Sequence, residues 1–133
     1  MNIDRSLNEA LRTIPKASAT GLVDMENGMM LDIKTTSSHP SEVFDFLAAA
    51  TKDMFEGDNV IAIEDIFKEA RGTQKNKDER YFQEMLVFST HLLHYFSRLP
   101  SNPQIVFGVV CARDANVGLV LVKSRAILKK IVV

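Results

Sequence analysis

The chain has one cysteine, no tryptophan, three histidines and four prolines in 133 residues. A lone cysteine closes no disulfide within the chain. Cys111 stands in the apolar run Ile105-Val106-Phe107-Gly108-Val109-Val110-Cys111, where a small buried side chain is expected. Long hydrophobic runs are missing too: none approaches the roughly 20 residues that cross a bilayer, so no membrane insertion is expected. The opening Met1-Asn2-Ile3-Asp4-Arg5-Ser6 carries an acid and lacks the apolar stretch of a signal peptide, which makes the reducing cytoplasm the expected location. Neither sign of charge is in excess, with 16 basic and 17 acidic residues. Nucleic-acid binders usually show a basic excess or stripe, so nucleic acid is not an expected partner.

Groups that carry chemistry are equally sparse. The glycines at 21, 28, 57, 72, 108 and 118 are scattered, and none belongs to a phosphate-cradling loop ending in lysine and serine or threonine. His91, His94 and Cys111 are the one set with metal-ligand chemistry. In a strand, His91 and His94 point to opposite faces, so both are expected to be ordinary strand positions with no metal. Asp24 and Asp32 flank a turn, and Glu64-Asp65 reads as a solvated helix face. Ser38-His39 and Ser89-Thr90-His91 set hydroxyls beside imidazoles, yet sequence neighbours do not make a triad and no nucleophile elbow surrounds either. No catalytic residue, cofactor or metal is expected, and the chain reads as a non-enzyme.

What the chain does hold is a core. Apolar residues make up 46% of it, and the length suits one domain, residues 1–133. Leu7, Leu11 and Ile14 fall at helical spacing over Arg5–Ile14, with Asp4 or Ser6 as the cap and Pro15 as the stop. Asn27-Gly28 between two apolar runs signals a hairpin, because both residues tolerate left-handed angles. A long helix is expected from the Ser38-His39-Pro40-Ser41-Glu42 start, with Val43, Phe46, Leu47, Ala50 and Met54 as its apolar stripe. Gly57 and Asp58 interrupt it, and a further helical stretch over Asn59–Ala70 turns Val60, Ile63, Ile66, Phe67 and Ala70 to one side. One kinked helix and two separate helices are both compatible with this pattern.

Arg71–Arg80 is a polar loop, and Tyr81–Leu99 is dense in strand formers, with a turn at Ser89-Thr90 and a helix over Phe82–Phe96 as the competing reading. Pro100-Ser101-Asn102-Pro103 separates that pair from a strand over Gln104–Cys111. In the last segment Val117, Leu121, Ser124, Leu128 and Ile131 share a helical face, with Asp114 placed as N-cap, so helix is preferred over the strand propensity of 117–122. The order α-β-β-α(-α)-β-β-β-α predicts an α/β fold of the α+β type, a five-stranded antiparallel sheet with long helices. The Gln104–Cys111 strand is apolar on both sides, so helices are expected on both faces.

With that order, the chain resembles the roadblock/dynein light chain family. The matching features are the opening helix around Leu7, Leu11 and Ile14, then Ala19-Thr20-Gly21-Leu22-Val23-Asp24, the Glu26-Asn27-Gly28 turn with Met29-Met30-Leu31 after it, and Asp114-Ala115-Asn116-Val117-Gly118-Leu119-Val120. Thr20 and Met25 depart from the family's small or β-branched types, and Met54–Arg80 is longer than its usual passage, so 57–80 is expected to hold an extra helix and a polar loop. The resemblance implies a non-catalytic adaptor or scaffold that forms a homodimer and binds or regulates a small Ras-like GTPase or its regulatory complex. It implies a dimer surface of Phe46, Ala50 and Met54 with Met85, Val87 and Phe88 from the third strand. An apolar strand edge that must be covered or paired points the same way.

Two charged stretches are open as the partner surface: Lys123, Arg125, Lys129 and Lys130 near the C-terminus, and the acidic run from Glu56 to Glu69. The alternative function is a small-molecule-binding sensory domain of the profilin-like or PAS-like class. That reading requires a pocket between sheet and helix, lined by Phe46, Met54, Phe67, Tyr95 and Phe107.

Overall fold

Among the described residues the chain forms nine elements. They are α1 (Ile3–Thr13), β1 (Ala17–Asp24), β2 (Met29–Thr35), α2 (Ser41–Glu56), α3 (Asp58–Arg71), β3 (Glu84–Phe88), β4 (Leu92–Leu99), β5 (Asn102–Ala112) and α4 (Val117–Leu128). The computed structural model describes residues 2–37, 41–71 and 80–133. The expected helix start at 38–40 and most of the expected loop at 71–80 lie outside the described residues. Among the described residues one antiparallel sheet has the order β2-β1-β5-β4-β3, which makes β1, β5 and β4 interior strands and leaves β2 and β3 at the edges.

Helices cover both faces. On one side α1 and α4 pack over Leu22, Leu93, Tyr95, Leu99, Phe107 and Val109. On the other, Ala48 and Phe55 of α2 meet Val23, Met25 and Val106. Strand alternation does the sorting: Ile105, Phe107, Val109 and Cys111 join the first core, while Val106 joins the second.

The helix starts differ from the sequence reading. Asn2, not Asp4 or Ser6, caps α1 by accepting the Arg5 N–H at 2.8 Å; Ser6 lies buried inside the helix. Asn116, not Asp114, caps α4 by accepting the Leu119 N–H at 3.0 Å, and Asp114 pairs with Lys16 at 2.8 Å instead. In both helices the first apolar residue inside the cap, Ile3 or Val117, packs against the core. On α4 the buried side is Val120, Ser124, Ile127 and Leu128, with Val117 and Leu121 only partly covered.

The first hairpin closes through a four-residue loop, since Asp24 pairs directly with Met29. Only Gly28 is left-handed there (φ 70°), and its N–H donates to the Asp24 carbonyl at 2.8 Å. Asn27 serves instead through its side chain, which accepts the Met29 N–H at 3.0 Å. Strands form over 84–88 and 92–99 rather than a helix, and the Ser89 hydroxyl and backbone close the turn between them. Pro100-Ser101 alone links β4 to β5, because Leu99 already pairs with Asn102.

Residues 41–71 form two helices. A Cβ at Gly57 would stand 2.6 Å from the Asp53 carbonyl oxygen, so the break is built around a residue that lacks one. The apolar stripe read for α3 is turned the other way, and that of α2 is divided: Met54 packs on the second core and Val43 and Leu47 border the sheet side, while Phe46 and Ala50 face out. Ala48, Thr51 and Phe55 face the sheet, while Phe46 is 73% exposed, and Ile63, Ile66 and Phe67 of α3 also face out. On α3 the inward residue is Glu64, 2% exposed. It was expected on a solvated face, but it accepts the Tyr81 N–H at 2.6 Å and lies 3.5 Å from Arg80.

Candidate binding face

The face beneath α2 is shaped by two glycines on neighbouring strands. Gly21 of β1 and Gly108 of β5 are direct cross-strand partners, and strand alternation turns both toward α2. A Cβ on Gly108 would lie 3.1 Å from the Phe96 ring, and one on Gly21 would lie 3.1 Å from the Asp32 carbonyl oxygen. The C-terminal half of α2 sits close to the sheet. Phe55 is fully buried, Lys52 donates to the Met25 carbonyl, and Glu56 meets Arg98 at 2.8 Å. The N-terminal half stands off the glycine floor, and a half-open cleft of about 460 Å³ remains between them.

Ala19, Gly21, Gly108 and Val110 line the cleft on the sheet side, with Phe44, Leu47 and Thr51 on the helix side and His94 beside Phe96 in its wall. His94 stacks on Phe96 with ring centroids 6.0 Å apart, and burial holds its pKa below the ordinary histidine value. This lining is not the expected one. Tyr95 and Phe107 belong to the core on the opposite face, Phe46 and Phe67 are exposed, and Met54 packs on the second cluster. The two strand glycines were the sequence signal for this hollow.

The residues expected at a dimer surface divide between the two faces of the sheet. Met85 and Val87 pair with Phe96 and His94 and so share the α2 face, with Met85 resting on the second cluster beside Met54. Phe88 pairs with Leu93 and lies on the α4 face, half exposed, under the Arg113 guanidinium. Phe46 and Ala50 lie exposed on the outer side of α2. Among the described residues β3 pairs with β4 alone.

Neither charged stretch is a free field. Arg125 is bound to Glu84, and Lys130 lies 3.5 Å from Glu9; Lys123 and Lys129 are exposed. Arg125, and then the Tyr95 hydroxyl, hold the Glu84 carboxyl below its usual pKa. In the acidic run, Glu56 and Glu64 point inward to Arg98 and Arg80. The Arg98 side chain also donates to the Phe82 and Pro103 carbonyls at 2.7 and 2.9 Å, and its guanidinium lies 5.2 Å from the Phe55 ring centroid. This buried network had no signal in the sequence beyond the charges themselves.

Chemically reactive residues do not converge. Cys111 pairs with Leu93 and lies in the α1/α4 core, where burial pushes its thiol up to about 11. His94 lies on the other face, and His91 is in the turn before β4. Asp24 and Asp32 are not opposite each other, since they pair with Met29 and Leu22. No group of three metal-ligating side chains occurs among the described residues. No described helix is long and apolar enough to cross a membrane.

No protein-family model matches the sequence, and no curated protein does either. Solved structures do match. MglB of Myxococcus xanthus superposes with a TM-score of 0.68 at 19% identity, over 96% of this chain and 89% of that one. A roadblock/LC7 domain from Streptomyces avermitilis gives 0.66 at 13% identity, over 98% and 94%. An MglB described in a tetrameric arrangement gives 0.65 at 20% identity, over 96% and 82%. Element order, sheet topology and near-complete mutual coverage agree: the chain has the roadblock/LC7 fold.

Proposed function

We propose that this protein is a non-catalytic, cytoplasmic adaptor that pairs with a second copy of itself and binds or regulates a small Ras-like GTPase. The observation that carries the pairing is the edge of β3, which pairs with β4 alone among the described residues and turns Met85 and Val87 to the α2 side of the sheet. An apolar edge left open invites another strand. Joining two β3 edges would bring the two copies of Met85 and Val87 together on one face, the side of the sheet that also carries α2 with its exposed Phe46 and Ala50. The tetrameric arrangement described for one structural neighbour is consistent with self-association on this fold. The GTPase is proposed from the family resemblance, together with a sequence that has no phosphate-binding loop of its own.

Val87→Lys tests the pairing, because an ammonium group buried without a partner is costly. Sedimentation at micromolar concentration should find the parent as a dimer and the variant as a monomer. A monomeric parent would refute the reading. For the GTPase, Lys123→Glu with Lys129→Glu reverses the two cations of the C-terminal basic stretch that make no ion pair among the described residues. Affinity capture of a GTPase from cell extract should fall with the pair reversed if α4 is the contact surface, and capture of no GTPase by the parent would remove that part of the proposal.

A further inference from the structure

The cleft under α2 has the makings of a ligand site that the adaptor reading does not require. Its hollow is held open from both sides. Larger residues are kept out of the floor at Gly21 and Gly108, where any Cβ would crowd the Asp32 carbonyl or the Phe96 ring. The helix is kept from closing because its far half is clamped by Phe55, by Lys52 on the Met25 carbonyl, and by Glu56 on Arg98. A protein interior normally closes such gaps to crystal-like density.

The lining also states what it would accept. Among the described residues no aspartate, glutamate, lysine or arginine borders the cleft, so a charged ligand would be desolvated there with no counter-ion from them. The Ser18 hydroxyl is committed to the Val110 carbonyl at 3.3 Å and the Thr51 hydroxyl to the Leu47 carbonyl at 2.7 Å. Among the described residues the His94 ring has a stacking neighbour, Phe96, but no hydrogen-bond partner. A volume of 460 Å³ corresponds to about 15 non-hydrogen atoms at roughly 30 Å³ each, within the range of small-molecule sites.

We propose that the cleft between α2 and the Gly21–Gly108 floor binds an uncharged small molecule, mostly aromatic or hydrocarbon, that donates one hydrogen bond to His94. A small molecule fits better than a protein side chain because Phe44, Leu47 and Thr51 approach the cleft from the inner side of α2. The exposed Phe46 and Ala50, which a protein would meet first, are on the outer side. The inference does not depend on the GTPase or on pairing.

The probe is N-phenyl-1-naphthylamine, an uncharged diaryl amine with one N–H, titrated into the full chain and followed by its fluorescence. Saturable one-to-one binding is expected. Val110→Phe and Ala19→Leu, which fill the cleft from the floor, should each weaken it by about tenfold or more with thermal stability kept or raised. His94→Leu should weaken it several-fold. Should the filled variants misfold, probe-induced shifts at the Gly21 and Gly108 amides of the parent replace them as the readout. Absent saturation, undiminished binding by folded filled variants, or shifts confined to other residues would each overturn the proposal. So would probe affinity that falls as the protein self-associates, because the cleft would then be covered by a second copy.

Discussion

Replacing Arg98 by methionine keeps most of the side chain's length and removes its charge from a position only 4% exposed. Three hydrogen bonds go with it: to Glu56 at 2.8 Å, to the Phe82 carbonyl at 2.7 Å and to the Pro103 carbonyl at 2.9 Å. The larger consequence is the carboxylate left behind, because the Glu56 side chain is 8% exposed. Breaking a buried pair from one side usually costs about 3–5 kcal/mol. Arg80, 3.8 Å from the same carboxylate, can take up part of the charge, which places the expected loss at about 3 kcal/mol. That is a large share of the roughly 5–15 kcal/mol that holds a domain together. Urea unfolding should show the midpoint falling by about 1–3 M for a typical slope. Adding Glu56→Leu to Arg98→Met should recover at least half of the loss, since the orphaned charge is then gone. A loss below about 1 kcal/mol for Arg98→Met, or a double variant as unstable as the two singles summed, would refute the view that the carboxylate dominates.

Two further expectations follow from burial. Burial, and then the bond to Glu84, raises the Tyr95 pKa from 10.0 to about 12, while burial alone raises Cys111 from 9.0 to about 11. Both shifts favour the neutral form in the folded state, so their stabilisation is complete below pH 9 and is lost as pH rises toward 11 and 12. Urea midpoints measured from pH 8 to 11.5 should fall across that window, and Tyr95→Phe should remove much of the fall above pH 10; a flat profile would count against it. In native-state hydrogen exchange, amides of α2 and α3 should open at lower free energy than those of β1 and β5; equal protection in the two groups would contradict the unequal packing.

The element order was legible because each boundary carries its own chemistry: Gly28 in the hairpin loop, Pro15 after α1, Ser89 in the turn between β3 and β4. The helix faces of α2 and α3 were not. Reading a helix by its greasiest stripe assumes that this stripe meets the chain's own core. Here Ala48 and Thr51 sit where the helix approaches the sheet, and Glu64 turns inward because the Tyr81 N–H and Arg80 satisfy it. Neither condition is visible without the partner segment, which is distant in sequence. The cleft was hidden for the same reason. Gly21 and Gly108 each read as an isolated strand glycine, and only the β1–β5 register places one opposite the other. The caps at Asn2 and Asn116 were missed by one helical turn or less.

The two faces of the sheet are packed unequally. On the α1/α4 side, residues from two helices and three strands form one buried cluster: Leu7 and Ile14, Leu22, Tyr95, Phe107, Val120 and Leu128 among them. On the α2 side the fully buried cluster is confined to Val23, Met25, Ala48, Phe55 and Val106. Apolar residues that could have enlarged it stand in solvent instead: Phe46 on α2 and Ile66 on α3, 73% and 65% exposed. Burying a side chain of that size is worth about 1.5–3 kcal/mol, so each forgoes stabilisation that inward placement could supply. A chain stabilised on one face can leave exposed apolar residues, an open cleft and the Met85 and Val87 side of β3 on the other. A charge at Val87 and a filled floor at Val110 therefore probe two separate features of that side, the strand edge and the cleft beneath α2.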